Sequence, residues 1–174
     1  MKEISFGGKI TCEDFININK YHFKNSNIKT FFAQLCAYLI IALAILDHKV
    51  TNFIRLIAVL FICIGLSVIT TVMFNSIRIK KLKCIYNSSR VIKSDKIYVT
   101  KDEGLLCMEE KGETLIKWKD VYKIDEKPDM ILIYTTPIQT AAILKGFFKS
   151  EGDLIEFKKI LKDKVADKRI RFID

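Results

Sequence analysis

The chain has 174 residues, of which 50% are hydrophobic and 28% are charged, and its net charge is +9. This length allows one or two domains. Residues 1–83 hold 11 Lys and Arg against 4 Asp and Glu, whereas residues 84–174 hold 18 against 16. A nucleic-acid-binding protein is expected to carry its excess positive charge on the folded domain, so this distribution excludes nucleic acid from the predicted partners.

The first predicted part is an N-terminal cytoplasmic segment, residues 1–29, that contains a short helix. Thr11 is followed three residues later by Asp14, a spacing that resembles a capping box. A helix that begins just after Thr11 would place Phe15 and Ile18 on one face. Two locations are left open for this helix: along the membrane surface, or packed on the folded cytoplasmic domain.

Two uncharged apolar runs follow, and they predict transmembrane helices at residues 30–46 and 56–77 with an external loop, residues 47–55, between them. At 1.5 Å per residue the runs reach about 25 and 33 Å. Both are apolar on every face, which argues against buried helices of a soluble protein. A signal peptide is also disfavoured, because the small-residue triplet at 42–44 lies inside the first run.

Lysine and arginine residues beside the runs predict the orientation. Three lysines precede the first run and two basic residues lie between the runs. The basic residues that follow the second run are Arg78, Lys80, Lys81, Lys83, Arg90 and Lys93. We therefore expect a multi-pass protein of the cell membrane with both termini in the cytoplasm. Arg78, Lys80, Lys81 and Lys83 are the candidate contacts with anionic lipid at the membrane surface, and a plain topology signal is the alternative interpretation of the same cluster.

Residues 78–174 are predicted to form a cytoplasmic β domain that ends in a helix. Short alternating or β-branched runs are separated by turn signals such as D-E-G at 102–104 and K-P-D at 127–129. The predicted strands are residues 96–100, 105–109, 115–118, 121–125, 129–136 and 140–144. Ser150 and Asp153 mark the start of the helix. The predicted fold class is α+β: a two-helix transmembrane hairpin followed by a pleckstrin-homology-like antiparallel β domain with a C-terminal capping helix.

Several stretches carry a resemblance to a known family. They are G-K-I-T-C-E-D-F, Y-V-T-K-D-E-G-L, I-K-W-K-D-V-Y-K-I, D-M-I-L-I-Y and A-I-L-K-G-F-F-K-S. On these motifs the chain resembles the YcxB-like family of small bacterial membrane proteins over nearly its whole length. The resemblance implies a membrane hairpin and a β-rich C-terminal domain, and it implies architecture rather than an activity. The chain departs from the family pattern at Ile143, Leu144 and Lys145, where I-P-K is expected, which weakens a functional interpretation of that strand end.

The sequence contains no catalytic, cofactor or metal pattern. Its cysteines, Cys12, Cys36, Cys63, Cys84 and Cys107, have no C-x-x-C spacing, and no glycine-rich phosphate loop is present. We therefore predict that the protein is not an enzyme and uses no cofactor or metal.

Trp118 is the only tryptophan, and it alternates with Lys117 and Lys119. In a half-buried strand this alternation points the indole inward, so we predict that Trp118 is a core residue. A role in stacking on a ligand is the alternative. We also expect that a fragment from Val91 to Asp174 folds without the rest of the chain.

The predicted function is a non-enzymatic, membrane-anchored binding or regulatory module. Its expected partners are the lipid bilayer and a protein that the sequence does not identify, and association into a homo-oligomer is left open. A small oligomeric membrane channel or transporter subunit is the alternative, which the absence of ionisable residues inside the two apolar runs disfavours.

Overall fold

The computed structural model describes residues 3–45, 53–110, 112–137, 139–166 and 169–173. The helices are α1 (Cys12–Ile45), α2 (Phe53–Ser88), α3 (Arg90–Lys93) and α4 (Glu151–Lys164). The strands are β1 (Ser5–Gly8), β2 (Lys96–Thr100), β3 (Gly104–Glu109), β4 (Gly112–Lys117), β5 (Lys123–Glu126), β6 (Met130–Tyr134), β7 (Thr140–Leu144) and β8 (Ile170–Arg171). The fold is therefore α+β, with two long apolar helices and two mainly antiparallel sheets.

The chain divides into two compact units. The helical unit consists of Phe15–Asn87, and the β unit consists of Met1–Asp14 together with Ser88–Asp174. The β unit is thus assembled from both ends of the sequence, and the helical unit is inserted between them.

α1 and α2 are both longer than the apolar runs that they contain. Between Cys12 and Ile45 there is no glycine or proline, so the predicted short helix and the first apolar run form one helix. α2 likewise continues beyond the second run to Ser88. Two segments, Ser26–Ile45 and Phe53–Ser88, are long and apolar enough to cross a membrane. Residues 46–52, which include residues 47–52 of the loop predicted at 47–55, lie outside the described residues.

The predicted helix start at Thr11 is confirmed. The Asp14 N–H donates to Thr11 Oγ1 at 3.1 Å, and the Thr11 N–H donates to Asp14 Oδ2 at 2.9 Å. This reciprocal pair satisfies two backbone donors at the start of α1, with aspartate in the place of the usual glutamate.

The first sheet has the order β1-β2-β3-β4, and all its neighbours are antiparallel. β1 was not predicted from the sequence, because a four-residue run that includes two glycines gives almost no strand signal. Gly7 is required for the close approach to β2: a Cβ at this position would lie 2.2 Å from the Lys96 carbonyl oxygen. Phe6 pairs with Tyr98 and is only 3% exposed, so β1 contributes to the core of the β unit.

The second sheet has the order β7-β6-β5-β8. Every residue of β6 is buried, so this strand lies at the centre of the core. β8 was also not predicted, and it differs from the other strands because it runs parallel to its neighbour β5.

α4 has the predicted start and the predicted apolar face. The Asp153 N–H donates to Ser150 Oγ at 3.1 Å, and Phe157 and Leu161 are fully buried. The ring of Phe157 lies 5.0 Å from the ring of Phe6 in an edge-on arrangement. α4 and β1 therefore share one aromatic cluster, although they are about 150 residues apart in the sequence.

The six predicted strands correspond to β2 through β7, with ends that differ by a few residues. The largest difference concerns the strand predicted at 115–118, because β4 ends at Lys117 and Trp118 begins a short 3-10 helix, Trp118–Asp120. The prediction that Trp118 belongs to the core is confirmed, since its side chain is buried.

Candidate functional site

The basic cluster after the second apolar run lies on α2, and its four members have two kinds of surroundings. Lys80, Lys81 and Lys83 are exposed, as a surface contact requires. Arg78 is half-buried, and its Nη1–H donates to Asn27 Oδ1 of α1 at 2.8 Å. The arginine therefore packs against α1 while the three lysines face outward, although all four residues lie within six positions of the sequence.

Arg78 joins the two long helices at this point. Its guanidinium carbon lies 5.3 Å from the centre of the Phe23 ring of α1, which is within the range of a cation–π contact. Arg78 lines a cavity between the two helices together with Asn75 and Leu82, and the volume of this cavity is about 390 Å³. The three exposed lysines remain the predicted membrane-surface contacts, and Arg78 has a packing role in addition.

A second polar contact joins the helices inside the apolar region. Gln34 Oε1 accepts hydrogen bonds from Thr71 Oγ1 at 3.0 Å and from Thr70 Oγ1 at 3.2 Å. Ser67, one turn earlier on α2, is fully buried and donates to the carbonyl oxygen of Cys63. These polar side chains thus bond to one another or to the backbone, which is how such groups are satisfied in an apolar environment.

A cationic depression lies on the β unit, between the 3-10 helix after β4, the start of β5 and the C-terminal strand β8. Its volume is about 530 Å³. The residues that line it are Lys119, Asp120, Val121, Tyr122, Lys123, Thr135, Arg169 and Arg171. Four of these side chains are basic and one is acidic, so the depression has a net positive charge. We call this set of residues the cationic depression.

Two cations of the depression are fixed by their neighbours. The Arg169 Nη1–H donates to the Val121 carbonyl oxygen at 2.8 Å. Lys123 Nζ lies 2.7 Å from Asp125 Oδ2 and 4.1 Å from the centre of the Tyr134 ring. Burial raises the pKa of Tyr134, while the nearby Lys123 ammonium lowers it by less.

The other cations of the depression face solvent. Lys119 and Arg171 are exposed, and neither is in an ion pair with any residue that the structure describes. Tyr122, which also lines the depression, is 52% exposed. Arginine and tyrosine are enriched at protein interfaces because they combine large contact area with directed hydrogen bonds. The depression is thus suited to hold an anionic group of a partner.

A buried carboxylate, Glu126, ties the C-terminal end to β5 and α4. Its side chain is 1% exposed, and Oε1 lies 2.6 Å from both Lys145 Nζ and Lys158 Nζ. Oε2 accepts from the Ile173 N–H at 3.0 Å. Burial alone would raise the pKa of Glu126, but these three hydrogen bonds outweigh it and hold the pKa below its ordinary value.

A buried thiol lies in the first sheet, where Cys107 of β3 pairs with Tyr98 of β2. Burial raises the pKa of Cys107, and the neighbouring Glu109 carboxylate raises it further. Burial likewise raises the pKa of Tyr98, and the interaction with the Cys107 side chain beside it raises it further. Glu109 itself is paired with Lys96. A thiol with a raised pKa is a poor nucleophile, so this cluster is suited to packing rather than to covalent chemistry.

The described residues contain no group of three or more His, Cys, Asp or Glu side chains that could hold a metal ion. The chemistry that the arrangement does support is the binding of anionic groups, at the exposed lysines of α2 and at the cationic depression. Arg169 and Arg171 were not named as site residues from the sequence. The alternation R-I-R at 169–171 is the only local sign of β8, and no local pattern predicts that this strand joins β5.

Comparison with known proteins agrees with the resemblance that the motifs indicated. One family model matches the chain. It is described as "YcxB-like protein" and matches residues 101–161, which run from the end of β2 into α4. Over 109 residues the chain is 26% identical to a Bacillus subtilis (strain 168) protein called "Uncharacterized protein YcxB". That alignment covers 63% of this chain and 59% of the relative, so it spans less than two thirds of the relative's length. No solved structure matches the chain. The predicted resemblance to the YcxB-like family is thus confirmed, within residues 101–161 for the family model.

Proposed function

We propose that this chain, which resembles the YcxB-like family, is a non-enzymatic binding or regulatory module that two transmembrane helices anchor in the cell membrane. In this proposal the β unit is a cytoplasmic pleckstrin-homology-like domain, and its cationic depression binds an acidic surface of a partner protein. The observation that carries the proposal is the insertion of two long apolar helices between adjacent strands of one folded sheet.

The surface of the helices supports a position inside a membrane. Large apolar side chains face outward along both helices, and Ile45 and Phe53 are 79% and 73% exposed. In water such a continuous apolar surface would be strongly unfavourable, at roughly 25 cal/mol per Å². In a bilayer the same side chains contact lipid, while the Gln34 and Thr71 side chains bond to each other.

The pairing of β1 with β2 supports the predicted topology. β1 precedes the hairpin and β2 follows it, so both ends of the hairpin must be on the same side of the membrane for the sheet to form. Two crossings meet this requirement, whereas one or three would not. The basic residues beside both ends then favour the cytoplasm as the common side.

The order of elements in the β unit supports the pleckstrin-homology-like assignment. Four strands form one antiparallel sheet, three more begin the second sheet, and α4 follows them. In this assignment β1 is the first strand of the domain, and the membrane hairpin is an insertion between its first and second strands.

Thiol labelling tests the topology. In a variant whose five cysteines are replaced, we expect Thr51→Cys to react with a membrane-impermeant maleimide in intact cells. Position 51 lies in the predicted external loop, outside the described residues. Lys9→Cys and Lys149→Cys should react only after the membrane is permeabilised, because both positions belong to the β unit. Native Cys107 is a poor reporter because it is buried. Reaction of Lys9→Cys but not Lys149→Cys in intact cells would contradict the same-side topology.

Site-specific crosslinking in native membranes tests the binding function. A photoreactive amino acid at Tyr122, on the rim of the cationic depression, should give one protein adduct of defined mass. The double variant Lys119→Glu, Arg171→Glu should not form that adduct, because it replaces the two exposed cations by anions. The same probe at Ile155, which is 62% exposed on α4, is the matched control and should not give the adduct. An adduct pattern that is equal at both positions, or insensitive to the charge reversal, would contradict the assignment of the binding surface.

A further inference from the structure

β4 is an open edge of the β unit. It is the last strand in the order β1-β2-β3-β4, and no strand within the described part of the chain pairs with its outer side. Five of its six residues are exposed, including all of 112 through 115, so neighbouring elements cover neither of its faces at this end. An exposed edge strand presents unpaired N–H and C=O groups, which are a template for pairing with another strand.

The direction of the backbone groups determines which residues are available at this edge. The Trp118 N–H donates to the Glu103 carbonyl oxygen at 3.1 Å, so the backbone of Trp118 faces β3. Because successive residues of a strand direct their backbone groups to opposite sides, Thr114 and Ile116 also face β3. The N–H and C=O groups of Glu113, Leu115 and Lys117 therefore point outward.

We propose that β4 pairs in antiparallel fashion with β4 of a second copy of this chain, about a two-fold axis at Leu115. In this register Leu115 lies opposite Leu115 of the partner subunit, and Glu113 lies opposite Lys117 of the partner subunit. Every outward N–H of the three residues then meets an outward C=O of the second copy. The surface is self-complementary, as a two-fold interface requires.

The charges favour this register and this partner. The two-fold axis places a glutamate opposite a lysine twice, once on each side of the leucine pair. Opposite charges directly across a strand pair are favourable, and like charges are unfavourable. Neither Glu113 nor Lys117 is in an ion pair with another described residue, so both are available for a second copy. Leu115, 37% exposed in the single chain, would be covered by its counterpart.

A single strand pair is a small interface, and its affinity in free solution would be low. Confinement to a membrane, as proposed above, would raise the effective concentration of the two copies and so favour the pair. The register itself does not depend on that proposal, since it follows from the backbone directions and charges of β4 alone.

Charge reversal tests the inference. We expect the full chain in detergent micelles to show a monomer–dimer equilibrium in sedimentation velocity. Glu113→Lys alone and Lys117→Glu alone should each weaken the dimer by about tenfold or more, because each replaces two attractive pairs by two repulsive ones. An equal mixture of the two variants should regain the wild-type dimer constant, because each lysine of one copy then faces a glutamate of the other. Lys149→Glu, an exposed charge reversal outside β4, is the matched control and should dimerise as wild type.

Leu115→Pro gives an independent measurement. It removes the outward N–H at the centre of the proposed pair and leaves the groups that face β3 in place, and proline is tolerated at exposed edges. We expect loss of the dimer with an unchanged far-ultraviolet spectrum. A monomeric wild-type chain, or dimers that persist in Lys117→Glu, or a mixture of the two charge variants that stays monomeric, would each overturn the proposal.

Discussion

A fragment from Val91 to Asp174 is expected not to fold by itself, in contrast to the expectation from the sequence. The fragment lacks β1, which is the outer neighbour of β2. Together with the residues beside β1, the fragment lacks Ile4, Phe6 and Ile10, which are 5%, 3% and 8% exposed in the whole chain. Burying an apolar side chain of this size contributes about 1.5–3 kcal/mol, so three of them approach the entire stability of a typical domain.

Phe6 is expected to dominate this effect. Its ring lies 4.3 Å from that of Phe148, 5.0 Å from that of Phe157 and 5.5 Å from that of Tyr98. Without Phe6 the fully buried Phe157 would be exposed to water. The backbone just before β1 is also hydrogen-bonded to the end of β2, because the Thr100 N–H donates to the Ile4 carbonyl oxygen at 3.0 Å.

A synthetic peptide of residues 1–14, added to the fragment, should restore folding. The measurement is the far-ultraviolet spectrum and the unfolding transition of the fragment with and without peptide. A Phe6→Ala peptide should fail, and so should a Gly7→Val peptide, because its side chain would meet the Lys96 carbonyl oxygen. A Lys9→Ala peptide is the matched control and should work, since the Lys9–Asp95 pair is exposed on both sides. Cooperative unfolding of the fragment without any peptide would contradict the integral role of β1.

Trp118→Ala is expected to destabilise the β unit strongly. Truncation of a buried tryptophan costs about 3–5 kcal/mol. Trp118 is 5% exposed, and its Nε1–H donates to the Lys101 carbonyl oxygen at 3.1 Å. Its backbone N–H donates to the Glu103 carbonyl oxygen. The residue thus fixes the link between β4 and β5, where the chain passes from one sheet to the other.

The free energy of unfolding, measured by circular dichroism with denaturant on the full chain, tests this prediction. Lys119→Ala is the matched control, because this neighbouring side chain is exposed and its loss should leave the transition nearly unchanged. In the wild-type protein the single tryptophan should emit at short wavelength and be poorly quenched by iodide. Red-shifted emission together with an unchanged transition in Trp118→Ala would instead favour the ligand-stacking role.

The locally encoded parts of this protein could be predicted from the sequence alone. The two apolar runs predict long helices because every turn is apolar and no residue interrupts the backbone hydrogen bonds. The pairs Thr11 with Asp14 and Ser150 with Asp153 predict helix starts because a side chain three residues away can cap a backbone N–H. Alternating or β-branched runs and the turn signals between them predict strands β2 through β7, and the two lysines beside Trp118 predict its place in the core.

Only the tertiary structure decided which distant segments meet. β1 has four residues and β8 has two. Such short strands are stable only because they form hydrogen bonds with the free edges of β2 and β5. The same long-range pairing makes residues 1–14 part of the β unit and brings Arg169 and Arg171 to Lys119. In the helical unit, the contact of α1 with α2 likewise pairs Arg78 with Asn27. Local propensity depends on neighbours in the sequence. These contacts instead depend on burial and hydrogen bonds between residues about 50 to 150 positions apart, and no local pattern encodes such contacts.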